Sequence, residues 1–276
     1  MHDLLTRAEA LVHFGETLKM MLLMLALCSL RCYAALFVIP ATNDQAVQGR
    51  LRNGVCLTIG TFLAWGQPLY VVDGISTMML LALLAKEALL GVLIGYAVAV
   101  VFWVAEGVGA LVDNQAGYNN VQQTNPLSGE QSTPLSNLLS QLAICGFYML
   151  GGMVALVGLL FESFQWWPLG SLSPDWAPLL EDFVRVETDR YVEAVVKIAA
   201  PALLVLVLVD LGFGLIAKTA EKLEPNNLSQ PVKGAIALIM LSLLVALFFE
   251  QVRPALALQE IVREMKQWVH PQPGGR

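Results

Sequence analysis

Four ionisable residues sit inside the oiliest runs of this chain. Arg31 lies within residues 20–39, Lys86 and Glu87 interrupt residues 75–105, and Asp210 lies within residues 199–217. A charge at the centre of a bilayer costs at least about 2.5–3.5 kcal/mol. Such groups persist where they pair, reach backbone carbonyls, or line a wet path for ions or protons. Arg31 and Asp210 are open to several partners: each other, carbonyls, or charges on other polypeptides. A proton relay would be the sharper chemistry, but relays carry several spaced acids or histidines. His2, His13 and His270 all lie near the ends of the chain. The charges are expected to find their complements in neighbouring subunits, with the helices facing protein or a wet cavity.

Other chemistry finds no residues to carry it. The sequence holds no Walker loop, no GxSxG, no HExxH and no CxxC. No catalytic, cofactor-binding or metal-ligating residue is expected. Cys28, Cys32, Cys56 and Cys145 all lie in apolar runs and read as small packing residues. Glu106, Asp113 and Glu162 sit where apolar runs end, where solvation explains an acid. A net charge of −6 with no basic stripe argues against nucleic acid.

The elements that must hold these residues are membrane helices. Apolar residues make up 57% of the chain and charged residues 14%, against about 45–50% and 25% in soluble domains. Six apolar runs stand out: residues 20–39, 54–72, 75–105, 138–161, 194–217 and 234–249. Several reach the roughly 20 residues that a crossing needs. Backbone groups in lipid must be satisfied internally, so helices are the default. The third run is long enough for one tilted helix, or for two with a break near Lys86-Glu87. The first run is longer than a signal-peptide core and is expected to be retained. Treating the runs as single crossings puts ten Lys and Arg on one side and five on the other, which favours cytoplasmic termini.

The expected fold is all-α, with about six hydrophobic helices in membrane-inserted hairpins, forming one helical unit over residues 1–276. Three stretches differ from the rest. Residues 106–137 carry no Lys or Arg and are rich in Asn, Gln, Gly, Ser and Thr. A neutral polar segment of that length suits the lining or plug of an aqueous pore, as well as a plain exposed loop. Residues 162–193 form an acidic connector whose later part is amphipathic, from residue 179 to 196. It reads equally as a helix on a surface or as an extension of the next helix. Residues 251–276 form a tail. Gly91-x-x-x-Gly95 would let a neighbouring helix approach closely, and Gly107, Gly109, Gly151, Gly152, Gly158, Gly212 and Gly214 add small surfaces.

Several of these stretches, in order, resemble a known family. Residues 106–117, running from Glu106 through Asp113, Asn114 and Gln115 to Gly117, are similar to the segment after a core helix in the T component of type III secretion export gates, a family related to the flagellar export protein FliR. Residues 223–234, with Leu223, Leu228, Pro231 and Lys233, resemble that family's L-N-V-F-S-L-x-x-P-x-K signature. Ser163-Phe164 with Pro168 matches S-F-x-x-x-P. Arg31 with Pro40 matches an early R…P pattern. Glu87 with Gly91 and Gly95 matches E-x-x-x-G-x-x-x-G. The chain departs from the pattern at Ala116, where members often have Arg, and at residues 224–227, where Pro225 disfavours helix at Glu224.

The resemblance implies a non-catalytic structural and gating subunit of a bacterial inner-membrane export gate, without cofactors. It implies R and S subunits as partners in a pseudo-helical ring of tilted hairpins, and a U-type switch protein and a V-type gate on the cytoplasmic side. Unfolded effector or needle proteins would pass through the centre. Glu106 and residues 113–117 would then approach the pore constriction. The 223–234 loop would contact a neighbouring or cytoplasmic subunit. A reading of another class is a stand-alone secondary transporter with a midplane site around Arg31 and Asp210. Transporters often show paired broken helices in two related halves, and no such symmetry is visible.

Overall fold

Long helices dominate because long apolar stretches leave the backbone no other way to satisfy itself. The computed structural model describes residues 2–43, 46–118, 123–124, 131–172, 176–219 and 225–256. Among these are α1 (His2–Val38), α2 (Gly49–Trp65), α3 (Thr77–Ala116), α4 (Pro134–Met149), α5 (Gly152–Trp166), α6 (Trp176–Thr219) and α7 (Pro225–Leu256). Short 3-10 turns lie at Pro40–Thr42 and Leu69–Val72. Gln123–Thr124 (β1) and Gln131–Ser132 (β2) form a two-residue antiparallel pair. Apart from that pair, the regular structure of the described residues is helical.

Among the described residues, four helices are long and apolar enough to cross a membrane: Glu9–Val38, Thr77–Ala116, Leu179–Lys218 and Ser229–Glu250. The broken pair α4 and α5 makes a fifth if counted as one span. At about 1.5 Å per residue, α3 and α6 are each about 60 Å or more long, roughly twice the hydrocarbon thickness. Parts of both helices therefore lie outside lipid tails, against water or protein.

Of the two readings of residues 75–105, the single helix holds: α3 runs unbroken through Lys86-Glu87 for 40 residues to Ala116. Other sequence expectations need correction. The first eleven residues of the expected polar connector, 106–116, are thus helical. Residues 134–137 are the start of α4. The run 138–161 is not one helix: it breaks at Leu150 and Gly151, where Gly151 has φ 77°, a conformation natural to glycine. The acidic connector 162–193 is largely helix, shared between the end of α5 and the first half of α6. The segment 223–234 is not a loop over its described part, because α7 starts at Pro225. Proline suits a first helical position, where its missing N–H goes unneeded and its φ is already helical.

By its internal packing the chain divides into two compact units. The first comprises Met1–Tyr96 and Leu156–Trp176, and the second Ala97–Ala155 and Ala177–Arg276. In the first, Leu27, Cys28, Cys32 and Leu36 of α1 and Ile39 just after it are fully buried, as are Leu90 and Ile94 of α3. Arg52 on α2 points inward, with its guanidinium 5.5 Å from the Tyr33 ring and 5.3 Å from the Phe37 ring. In the second, Phe102 of α3 meets Phe147 of α4 edge to face at 5.6 Å. Ile198 and Leu206 of α6 and Phe248 of α7 are fully buried.

Candidate functional site

The first unit holds a buried ionic knot. α1 carries Arg31, and Lys86 and Glu87 are consecutive on α3, all with 2% exposure or less. Arg31 Nε donates to Glu87 Oε2 at 2.6 Å, Nη1 donates to Ser163 Oγ at 2.9 Å, and Nη2 donates to the Trp167 carbonyl at 3.1 Å. The guanidinium face lies 3.7 Å from the Phe164 ring centroid, a cation–π contact. Lys86 Nζ is 2.8 Å from Glu87 Oε1. It also donates to the carbonyls of Pro168 at 2.8 Å, Leu169 at 3.2 Å and Ser171 at 2.9 Å.

Two cations share one carboxylate here, and backbone oxygens supply the rest of the compensation. The carbonyls come from the turn that leaves α5, where the helix dipole places negative partial charge. Buried charges persist only when paired and hydrogen-bonded, and all three are. Gly91 and Gly95 make the approach possible. A Cβ at Gly91 would fall on the Arg31 carbonyl and the Ala34 side chain, and one at Gly95 would meet the Ala35 backbone. Arg31, Lys86 and Glu87 thus find their complements in this chain, not in neighbouring polypeptides as the sequence suggested.

The second unit holds a half-exposed polar brace at the end of α3. Tyr118 N donates to the Asp113 carbonyl at 2.8 Å and Gly117 N to the Asn114 carbonyl at 3.1 Å. With Gly117 at φ 89°, this is a Schellman ending. The next carbonyls are taken by α7: Lys233 Nζ donates to the Gln115 carbonyl at 3.2 Å and Gln230 Nε2 to the Gly117 carbonyl at 2.9 Å. Asp210 on α6 closes the set. Gln115 Nε2 donates to Asp210 Oδ2 at 2.9 Å, and Lys233 Nζ pairs with Oδ1 at 2.8 Å. The cation of Asp210 is Lys233.

Asp113 has a separate job. It is 4% exposed, and its Oδ2 accepts from the Leu135 amide at 2.7 Å. Thr133 occupies the N-cap position of α4 without a side-chain capping bond. Asp113 supplies from α3 the acceptor that a local cap would give. Replacing it by Ala is expected to cost about 1–2 kcal/mol, the usual range for a lost cap, read as a lower unfolding midpoint. Glu106 is half-buried, and its carbonyl accepts from Ser136 Oγ at 3.0 Å. Asn114 is exposed and borders a groove of about 410 Å³ with Gly107, Tyr191 and Val195.

The remaining sequence candidates divide. Pro231 is exposed on α7, beside Val232 at 40%. Leu228 lies in α7. Leu223 lies outside the described residues, as does the tail after residue 256. Sequence reasoning missed Gln230 and the carbonyls of residues 167–171. Backbone acceptors have no residue signature, and Gln230 reads as an ordinary surface amide. Among the described residues, no His, Cys, Asp and Glu cluster could hold a metal ion.

Both networks tie together stretches scattered along the sequence. The description "Bacterial export proteins, family 1" matches residues 22–258. The chain belongs to this family. It is 32% identical over 215 residues to the Yop proteins translocation protein T of Yersinia pestis, covering 76% of this chain and 81% of that protein. It is 27% identical over 219 residues to the surface presentation of antigens protein SpaR of Salmonella typhimurium, covering 79% and 80%. It is 25% identical over 181 residues to the flagellar biosynthetic protein FliR of Bacillus subtilis, covering 65% and 69%. The family and the apolar helices make it a multi-pass membrane component of a bacterial secretion apparatus. Arg31, the Glu87-Gly91-Gly95 face and Ser163-Phe164 with Pro168, three of the stretches that carry the sequence resemblance, are the three sides of the ionic knot.

Proposed function

We propose that the chain is a structural and gating subunit of the inner-membrane type III export gate, helping to form the conduit for unfolded secreted proteins. R and S subunits are its neighbours, with a U-type switch protein and a V-type gate on the cytoplasmic side. One observation supports the reading above others. Arg31, Lys86 and Glu87 are sealed, whereas a polar patch at the end of α3 stays open. There Asn114 is exposed, Gln115 is half-buried and Asp210 is 38% exposed. A transporter built on Arg31 loses its support, because the guanidinium already has four partners and no exposure.

In this reading Asn114, Gln115 and Gly117 present a neutral amide surface to the conduit. Glu106 and Asp113, whose groups hold α4, fix the frame behind it. Pro231 and Val232 on α7 face a neighbouring subunit. The test is site-specific cross-linking in the intact apparatus. With a cysteine-directed photo-cross-linker at Asn114→Cys and a secretion substrate stalled in transit, an adduct to the substrate is expected. An assembled, secreting apparatus that gives adducts from other subunits but none from position 114 would sink the placement.

A further inference from the structure

α7 is attached at two ends by different physics. Toward its C-terminal end, Leu244 at 1% and Phe248 at 0% exposure pack it into the second unit. Near its start the described attachments are largely polar side chains: Gln230 on the Gly117 carbonyl, and Lys233 on the Gln115 carbonyl and Asp210. Gly234 rests against the Tyr118 hydroxyl. Between the ends one face is open, with Leu238 at 71%, Ile239 at 75% and Leu243 at 46% exposure, while Ala237 and Leu241 line a groove against α4. It is the least buried of the four long candidate spans, at 17% of its apolar window against 67% for α3.

Residues 230, 233 and 234 lie on one face at helical spacing, so one small rotation of α7 breaks all three contacts together. We propose that Gln230 and Lys233 form a releasable latch: they hold the start of α7 on the end of α3 and keep residues 114–117 in their closed position. Release swings the start of α7 about its packed far end. It leaves the Gln115 and Gly117 carbonyls and the Asp210 carboxylate without their α7 partners. It also opens the groove of about 260 Å³ between α4 and α7, lined by Leu135, Leu138, Ala237, Leu238 and Leu241. A polar attachment suits this task better than a packed one, because a half-exposed ion pair is weak and its groups are rehydrated on release. The inference rests on the gate reading above and adds to it the element that controls the gate.

The experiment uses the assembled apparatus in bacterial membranes, with Lys233→Met, Asp210→Asn and Lys233→Arg compared with the parent. Two quantities are read: hydrogen exchange over residues 229–241, and passive leakage of small ions and dyes without secretion. Lys233→Met and Asp210→Asn are each expected to raise exchange in that segment by about fivefold, the factor carried by a modest ion pair, and to raise leakage with it. Lys233→Arg keeps the donor and is expected to behave as the parent. Unchanged exchange at 229–241 overturns the latch. Faster exchange throughout the chain also overturns it, since the contact would then be a general brace. Local loosening without leakage overturns the coupling to residues 114–117 while Asn114→Cys still cross-links substrate. Loss of that cross-link in the parent sinks the gate reading itself.

Discussion

Glu87→Gln is expected to destabilise the chain more than Arg31→Met, although both remove one member of the same pair. Breaking a buried pair by removing one partner costs about 3–5 kcal/mol, because an uncompensated charge is left behind. The knot holds two cations and one anion, so the two changes differ. Glu87→Gln leaves Arg31 and Lys86 with only carbonyls, Ser163 and Phe164 as compensation. Arg31→Met leaves Lys86 and Glu87 as a neutral pair at 2.8 Å, with an apolar side chain against Phe164. Its loss is confined to Glu87 Oε2, Ser163 and Trp167, about 1–3 kcal/mol for each group left unsatisfied, with the remaining charges balanced. Thermal unfolding of each variant in detergent, at matched lipid content, gives the order. An Arg31→Met midpoint at or below that of Glu87→Gln would show that packing of the guanidinium, not charge balance, holds the knot.

The sequence made the problem legible before it made the solution so. Arg31, Lys86, Glu87 and Asp210 were marked by the cost of charge in an apolar run, and that cost does govern their surroundings. Their partners were not legible, because three of the acceptors for Lys86 are carbonyls whose direction depends on how the chain leaves α5. The family resemblance named Ser163, Phe164 and Pro168 as a pattern without saying what it touches. In the structure these residues give a hydroxyl, a ring face and a carbonyl to the two buried cations. The polar character of residues 106–116 misled for a similar reason. Composition there suggests a loop, yet residues 106–116 continue α3, and Asp113 is turned inward to hold α4. At the second site, Pro225 signalled a helix boundary correctly in physical terms. Its effect was to begin α7, placing Lys233 and Gln230 on one helical face where a loop was expected.

The glycines give the other large effect, and they separate contacts within this chain from contacts beyond it. Gly91, Gly95 and Gly109 are pressed against backbone: Gly109 against Ser136, Gly91 against the Arg31 carbonyl. Backbone cannot rotate aside as a side chain can, so Gly91→Ala or Gly109→Ala forces helices apart. The expected loss is about 1–3 kcal/mol for overpacking, toward the upper end. Gly158, Gly212 and Gly214 have nothing within 4 Å of an added Cβ, and alanine there is expected to stabilise the helix by about 0.5–1 kcal/mol. The contrast becomes a test of assembly when the side chain is made larger. Gly212→Leu on α6 is expected to leave the unfolding midpoint of the isolated chain unchanged or raised, and to reduce the yield of the chain in complex with its neighbours. If it leaves that yield intact as well, the bare face of α6 around Asp210 meets lipid, and the small residues there serve no neighbour. If it lowers the yield, the same face is an interface, and the exposed flank of Asp210 lies at its edge.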